Sequence, residues 1–311
     1  MALLIDIGVP DWLTDEQLIE QLAPYLSGAD IRKGNAPGNP ADIKMIATSR
    51  SPQAGFSAYP NVQLVQKLGA GVDTIARATD LASHVRVSRL KPDNPAREIA
   101  EYCLAYVLAG QRHLKKYWLD QVTAQWRPVP PKITAEIKVG VLGLGHIGSR
   151  IAKLLQAVDI DVIGWSRTQK HLEGIDCRFG NNALASVLHE SDYVVSILPS
   201  TAQTHGLFNK TVFAQMKQDS TFINVGRGDL VVDDDLLFAL DHGPLQHAVL
   251  DVLNTEPLPE DHVFWDHAKI SITPHVSGWH LGDGILDVAE NYKRLLKGEP
   301  LLNEIDRVQG Y

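Results

Sequence analysis

Short apolar runs alternate with amphipathic helical repeats along most of this chain, a pattern that predicts an α/β protein with buried parallel strands. Early in the chain, strands are predicted at Ala2–Ile7, Ile43–Ala47 and Val62–Val65. Thr14–Ala23 predicts a helix, because its first residue is a good N-cap, acidic residues occupy its first turn and Pro24 follows it. We therefore expect strands and helices to succeed each other from the first residues onward.

A long helical repeat follows and leads into a segment without a regular pattern. Apolar residues recur at helical spacing over Pro95–Trp118, which opens on a proline, and they predict one continuous helix. Leu119–Ile133 lacks that spacing and contains Trp126 next to several prolines. Such a segment could be a surface loop or a contact between two copies of the chain, and the sequence leaves both open.

The second half of the chain repeats strand and helix in alternation, as in a doubly wound parallel sheet. Helices are predicted at Asp233–His242 and at Asp283–Lys297, which is followed by Gly298 and a proline. The strands are predicted at 138–142, 160–165, 193–198, 221–225, 247–251 and 270–273. The predicted fold class is therefore α/β.

The first of these strands runs directly into a glycine-rich turn, Gly143-x-Gly145-x-x-Gly148, which opens a helix. In the dinucleotide-binding fingerprint, one glycine permits the tight turn, the next lets a pyrophosphate approach the backbone, and the third lets helix and strand pack closely. The phosphates would meet the amides of the helix N-terminus, at His146 and Ile147. A glycine-rich turn often only connects two elements, but the flanking strand and helix favour a nucleotide site.

Composition narrows the classes of partner. The 311 residues suffice for about two domains, and 44% hydrophobic with 21% charged residues is typical of a soluble globular protein. A net charge of −8 argues against nucleic acid or an anionic membrane as the main partner. Cys103 and Cys177 suggest neither a disulfide framework nor a metal site, and Cys103 falls on an apolar helical stripe. With no basic leader segment and no membrane-length apolar run, we expect a cytoplasmic protein without a metal.

The end of the second strand in the nucleotide-binding half predicts the type of cofactor. An acidic residue there would bind the ribose 2′-hydroxyl of NAD, but this chain has Ser166, Arg167 and Thr168, with Lys170 nearby. A hydroxyl and a guanidinium suit a 2′-phosphate, although a solvated basic turn is the ordinary alternative. We therefore expect NADP(H) as the preferred cofactor and NAD(H) as the second choice.

Three later strand ends carry polar residues, and ligands of open α/β sheets bind at strand carboxyl ends. They are Arg227 in INVGRGD, Asp251 and Glu256 in LDVLNTEP, and His275 in ITPHVSG. Each residue alone has an ordinary structural explanation. In combination they supply a cation for a substrate carboxylate, a proton carrier, and an acid that orients the carrier.

An earlier junction, LGAGVD, joins a strand to a helix with two glycines. Its backbone amides could bind an anion, or the segment could be only a tight turn. From its own residues, neither interpretation is favoured.

Six motifs in this order resemble those of the D-isomer-specific 2-hydroxyacid dehydrogenases: GAGVD, VGVLGLGHIG, LPSTAQT, INVGRGD, LDVLNTEP and ITPHVSG. The resemblance covers essentially the whole chain. Within that family, the basic turn, the missing acid and the C-terminal DRVQGY are most similar to reductases of glyoxylate and hydroxypyruvate. The resemblance implies that Arg227 binds the substrate carboxylate and carbonyl, that His275 is the acid and base, and that Glu256 is its partner.

The same resemblance implies further contacts. The amides of Ala70 and Gly71 would hold the carboxylate, and Asp251 would hold the nicotinamide carboxamide. Trp279 would border the substrate, but many relatives carry a smaller residue there, and an aromatic side chain packed under a loop is an equal alternative. The other implied cofactor contacts are Leu198, Pro199, Thr204, Val225 and Gly278.

The family's fold would place two Rossmann-like doubly wound domains in this chain. Residues 1–94 and 282–311 would form a discontinuous substrate domain around an inserted cofactor domain, 95–281. The expected activity is the NADPH-dependent reduction of small 2-ketoacids, namely glyoxylate to glycolate and hydroxypyruvate to D-glycerate, by a homodimer. The alternatives are a reductase of bulkier 2-ketoacids and a nucleotide-sensing interaction protein without turnover.

Overall fold

The computed structural model describes residues 1–9 and 12–307, and the last four residues of the DRVQGY motif lie outside them. The chain divides into two compact units, Met1–Pro95 with Trp279–Tyr311, and Ala96–Gly278. These boundaries lie close to those expected from the sequence, 1–94 with 282–311 and 95–281. The α/β fold class is confirmed, because each unit is built on a parallel sheet with helices in the connections.

The first unit contains a five-stranded parallel sheet with strand order β2-β1-β3-β4-β5. Side chains of β1 alternate between two apolar clusters, one with Leu3 and Ile5 and the other with Ala2 and Leu4, so both faces of the sheet are covered. The strands are β1 (Ala2–Ile5), β2 (Asp30–Lys33), β3 (Ile43–Thr48), β4 (Leu64–Lys67) and β5 (Arg86–Ser88).

Two helices, α1 (Asp15–Leu22) and α9 (Gly284–Lys297), share one of these apolar clusters, and the short α2 (Asp73–Ala76) follows β4. The predicted N-cap of α1 is present as a capping box. Thr14 Oγ1 accepts from the amide of Gln17 at 3.2 Å, and Gln17 Oε1 accepts from the amide of Thr14 at 2.9 Å. The local sequence therefore determines where this helix begins.

The second unit contains a seven-stranded parallel sheet with strand order β12-β11-β10-β9-β6-β7-β8. Each strand predicted in this half is present, with ends that differ by up to two residues. The strands are β6 (Lys138–Leu142), β7 (Asp161–Ser166), β8 (Asp176–Phe179), β9 (Tyr193–Ser196), β10 (Ser220–Asn224), β11 (Leu245–Leu250) and β12 (Ile270–Ile272).

The strand order reverses between β6 and β9, the point at which open α/β sheets form their ligand crevice at the carboxyl ends of the strands. Apolar clusters cover both faces of this sheet. The helices are α3 (Asp93–Gln111), which begins in the first unit, then α4 (Leu114–Val122), α5 (His146–Gln156), α6 (Asn181–Glu190), α7 (Lys210–Phe213) and α8 (Asp233–Asp241). Single 3₁₀ turns occur at Pro40–Asp42, Phe56–Ala58, Thr134–Glu136 and Gly228–Leu230.

The prediction of one continuous helix over Pro95–Trp118 is wrong. The chain forms α3 and then α4, separated at His113, whose φ of 56° is left-handed. On α4, Lys115 Nζ donates to the carbonyls of Ala268 and Ile270, at 2.9 and 3.1 Å. Apolar spacing continues on both sides of the break, so a periodicity argument does not detect one left-handed residue. Residues 119–122, which open the segment predicted to be irregular, are instead the last residues of α4.

Three strands, β2, β5 and β8, were not predicted from the sequence. They are three or four residues long, and both β2 and β8 carry exposed or half-exposed polar residues at the edge of their sheet, which weakens the apolar signal. Cys103 is fully buried in α3, in agreement with its position on an apolar helical stripe. Among the described residues, no helix has both the length and the apolar character needed to cross a membrane.

Candidate active site

The glycine-rich turn between β6 and α5 lies at the reversal of strand order. Gly148 leaves no room for a side chain, because a Cβ there would come within 1.6 Å of the carbonyl oxygen of Gly143. A Cβ on Gly145, the N-cap of α5, would meet nothing within 4 Å. The turn therefore pairs a close contact between helix and strand with open space at the helix N-terminus, where His146 and Ile147 begin α5. This geometry fits a bound pyrophosphate.

The turn after β7 carries the residues expected to choose between cofactors. Ser166 is buried, and its hydroxyl donates to the carbonyl of Thr168 at 2.8 Å, so this hydroxyl shapes the turn. Arg167 and Thr168 are exposed. A guanidinium at this position fits a 2′-phosphate by charge.

The loops after β9 and β10 hold other expected cofactor contacts. Leu198 is buried, and Thr204 Oγ1 closes its loop by donating to the carbonyl of Pro199 at 2.6 Å. The amide of Val225 donates to the carbonyl of Ser196 at 3.0 Å, which continues the pairing of β9 and β10 to the start of the loop after β10. Both loops thus leave neighbouring strands at the same edge of the sheet.

The structure brings His275 and Glu256 together, with 2.8 Å between His275 Nδ1 and Glu256 Oε2. The other carboxylate oxygen of Glu256 accepts from the amide of Leu253 at 3.0 Å. Burial alone would raise the pKa of Glu256, but the hydrogen bond from His275, the amide of Leu253 and the charge of Arg227 together lower it below its usual value. Glu256 is therefore a carboxylate at neutral pH, held against the imidazole.

Arg227 lies on the loop after β10, and its backbone is held by the buried Asn224. Asn224 Nδ2 donates to the carbonyl of Arg227 at 2.9 Å, and Asn224 Oδ1 accepts from the amide of Gly226 at 3.2 Å. The next residue, Gly228, packs on the loop after β11, where a Cβ would lie 2.0 Å from the carbonyl carbon of Leu253. This close approach holds the loop of Arg227 against the loop that carries Glu256.

Asp251 fixes the loop of His275. It is buried at the end of β11, and its carboxylate accepts from Thr273 Oγ1 at 2.6 Å and from the amides of Val276 and Ser277 at 2.9 and 3.0 Å. The amide of His275 donates to the carbonyl of Asp251 at 2.9 Å. His275 itself adopts a φ of 56°, a costly conformation for a residue other than glycine and one that concentrates at functional sites.

Sequence reasoning missed part of this support. Tyr102 on α3 lies 2.7 Å from Thr273 Oγ1, and because that hydroxyl donates to Asp251, Tyr102 is the donor. Burial raises the pKa of Tyr102, so it keeps this proton. Thr273 stands two residues before His275 and could have been noticed, but nothing in the sequence links Tyr102 to this loop.

The other expected substrate contacts belong to the first unit. Ala70 and Gly71 are half-buried in the turn after β4. Trp279 is 37% exposed, and its carbonyl accepts from the indole of Trp12 at 2.6 Å. Gly278 is the last residue of the second unit, directly after the loop of His275. Among the described residues, no group of His, Cys, Asp or Glu side chains is arranged to hold a metal ion.

A nucleotide-binding sheet that carries an imidazole–carboxylate pair and an arginine at the carboxyl ends of its strands defines an NAD(P)-dependent oxidoreductase. The sequence model of the family described as "D-isomer specific 2-hydroxyacid dehydrogenase, NAD binding domain" matches residues 104–277. The chain belongs to the D-isomer-specific 2-hydroxyacid dehydrogenase family, which confirms the resemblance seen in the six motifs.

Known relatives are similar to this chain over nearly its whole length. Glyoxylate/hydroxypyruvate reductase A of Klebsiella pneumoniae is 33% identical over 300 residues, 94% of this chain and 95% of that protein. A family member from Xanthobacter autotrophicus, solved in complex with NADPH and MES, has a TM-score of 0.92 at 35% identity and covers 100% of this chain and 99% of its own. The NADPH-dependent glyoxylate/hydroxypyruvate reductase of Sinorhizobium meliloti, solved with NADP and sulfate, has a TM-score of 0.92 at 29% identity, with coverage of 100% and 99%.

Proposed function

We propose that this protein reduces small 2-ketoacids with NADPH, glyoxylate to glycolate and hydroxypyruvate to D-glycerate. The observation that carries the proposal is the contact between His275 Nδ1 and Glu256 Oε2, held at the carboxyl edge of the nucleotide-binding sheet. The names of the Klebsiella and Sinorhizobium relatives support these two substrates. A 2-hydroxyacid dehydrogenase run in the reductive direction needs a cation for the carboxylate and a proton donor for the carbonyl oxygen, and this site has residues suited to both.

Each residue of the pair has one task. The bond from Nδ1 to Glu256 leaves Nε2 as the ring nitrogen that passes a proton to the carbonyl oxygen of the substrate. The ionised Glu256 holds the imidazole in place through this bond. Arg227 binds the carboxylate and polarises the carbonyl. When bound, the nicotinamide supplies the hydride.

The other expected contacts keep their proposed roles. Ala70 and Gly71 bind the substrate carboxylate through their amides, and Trp279 limits the size of the substrate. Asp251 holds the nicotinamide carboxamide, for which it has capacity left, because a carboxylate accepts about four hydrogen bonds and the loop of His275 uses three. The first unit is then the substrate domain and the second the cofactor domain, as the match of the family's NAD-binding description to residues 104–277 supports.

NADP(H) is the proposed cofactor. Three observations support it: Arg167 and Thr168 are exposed at the end of β7, no acidic residue occurs there, and two relatives were solved with NADPH or NADP.

Arg167→Ala should raise the KM for NADPH by about ten- to a hundredfold, because a hydrogen bond between charged groups is worth about 1.5–3 kcal/mol. The KM for NADH should change little, and Lys170→Ala, an exposed cation in the same segment, is the matched control. Equal increases in KM for both cofactors would mean that Arg167 does not bind the 2′-phosphate.

We also propose a homodimer, located in the cytoplasm. The segment after α4 is firmly held: Tyr117 Oη donates to the carbonyl of Val129 at 3.1 Å and accepts from its amide at 2.8 Å, and Arg127 pairs with Asp120. Trp126 in this segment is nevertheless 96% exposed, and several apolar side chains of α4 and of this segment are exposed as well. An ordered apolar surface of this kind is typical of a contact with another protein. The exposed apolar side chains are Trp118, Leu119, Val122, Trp126 and Ile133.

The function is tested by following the oxidation of NADPH and NADH with a panel of 2-ketoacids. The highest kcat/KM is expected for NADPH with glyoxylate or hydroxypyruvate. A clear preference for branched or aromatic 2-ketoacids would replace these substrates with bulkier ones. Tight NADPH binding with no turnover of any panel member would overturn the enzymatic proposal in favour of a nucleotide-sensing protein.

A further inference from the structure

Arg89 follows β5 directly, at the carboxyl end of the five-stranded sheet, and its side chain is half-buried. Burial lowers the pKa of its guanidinium, and no carboxylate among the described residues offsets that effect. Its Nε is buried without an acceptor in the described part of the chain. A cation that is costly to bury and has no ionic partner calls for another explanation of its position.

The hydrogen bonds around Arg89 supply one. Arg89 Nη1 donates to the carbonyl oxygen of Ala70 at 3.4 Å, and the amide of the next residue, Leu90, donates to the carbonyl oxygen of Gly69 at 3.0 Å. Two successive carbonyls of the turn after β4 are thus held by two successive residues of the chain after β5. These strands are neighbours in the sheet, with Gln66 paired to Ser88.

Peptide geometry then determines where the amides of the turn point. In a trans peptide the C=O and N–H bonds point in opposite directions. Because the carbonyls of Gly69 and Ala70 point towards Arg89 and Leu90, the amides of Ala70 and Gly71 point away from them. Within the described residues, neither amide has an acceptor. Two successive amides that face the same side form an anion-binding nest.

We propose that Arg89 is a positioning residue for the substrate carboxylate. It acts through the Ala70–Gly71 peptide: its hydrogen bond fixes the direction of the Gly71 amide, and its charge behind the carbonyl polarises that peptide so that the amide donates more strongly. The inference rests on the proposed function, in which these two amides bind the carboxylate of a 2-ketoacid. It adds a residue of the first unit that favours anionic over neutral carbonyl compounds.

The test compares Arg89→Met, Arg89→Lys and wild type. Met preserves the apolar stem but removes donor and charge, so the KM for glyoxylate should rise about tenfold with a smaller change in kcat. The dissociation constant of oxamate, a non-reacting carboxylate analogue, should rise equally in the NADPH-loaded enzyme. Lys restores a charged donor and should recover most of both values. The dissociation constant of NADPH should be unchanged, and the kcat/KM for methylglyoxal, a neutral carbonyl compound, should fall less than that for glyoxylate.

Arg86→Met is the matched control, because Arg86 lies on β5, the strand that Arg89 follows, and pairs with Glu304 at 2.6 Å on the surface. It should leave KM and oxamate affinity unchanged.

Wild-type values in Arg89→Met, or equal losses in the Met and Lys variants, would overturn the role of Arg89 while leaving the proposed function intact. If wild type reduces no 2-ketoacid, the proposed function fails, and oxamate binding still reports whether Arg89 positions the turn. If the Met variant does not fold, the comparison of Arg89→Lys with Arg89→Gln, which retains a donor without the charge, decides the question: equal oxamate affinities would overturn the proposal.

Discussion

Replacing His275 with alanine is expected to lower kcat for glyoxylate by about 10²- to 10⁴-fold, the usual contribution of a general acid or base. Reduction leaves a charge on the carbonyl oxygen that needs a proton, and we propose Nε2 of His275 as its donor. The bond from Nδ1 to Glu256 at 2.8 Å holds the ring for that task. NADPH affinity should persist, because His275 lies outside the glycine-rich turn and the β7 turn to which we attribute the phosphates.

The measurement is kcat with saturating NADPH, together with the dissociation constant of NADPH from a fluorescence titration. His189→Ala is the matched control, since this histidine is exposed near the end of α6. If His275→Ala keeps the wild-type kcat, the proton comes from another group. If it loses NADPH binding instead, the imidazole anchors the cofactor and our assignment is wrong.

Much of the second unit could be predicted because its signals are local. The strand at 138–142, the glycines after it and the helix that follows are contiguous in the sequence, and the steric reason for Gly148 lies in the same segment, because its Cβ would clash with the carbonyl oxygen of Gly143. The polar residues at the later strand ends could also be found, because parallel strands bring their carboxyl ends to one edge. Periodicity and strand ends thus carried the prediction of the fold and of Arg227, Glu256 and His275 as candidates.

What the sequence did not show depends on contacts between distant residues. In the loop of His275, Thr273 lies 171 residues from Tyr102, its hydrogen-bond donor. The amides of Val276 and Ser277 lie 25 and 26 residues from Asp251, their acceptor. Arg89 looks like a surface cation until the structure shows it half-buried behind Ala70. The break at His113 requires one left-handed residue whose neighbours keep an unbroken apolar pattern. Each of these features depends on tertiary contacts, and the spacing of residues within one segment does not predict such contacts.

Glu256→Gln is expected to lower kcat/KM for glyoxylate at neutral pH by about ten- to a hundredfold. Glutamine keeps the size and an acceptor oxygen but removes the charge, and a hydrogen bond to a charged group is worth about 1.5–3 kcal/mol. The pKa of Glu256 is lowered, so the wild-type side chain is a carboxylate at neutral pH and holds Nδ1 of His275 at 2.8 Å. Its replacement weakens the bond that orients the imidazole towards the carbonyl oxygen of the substrate.

The lowered pKa of Glu256 sets the pH range of this effect. The carboxylate is present above that pKa and takes up a proton as pH falls through it, so the rates of the two enzymes should converge towards acid pH. The measurement is kcat/KM for glyoxylate across pH, with the exposed Glu260→Gln as the control. Equal kcat/KM values for wild type and Glu256→Gln at neutral pH would show that the charge of Glu256 does not contribute to the proton transfer by His275.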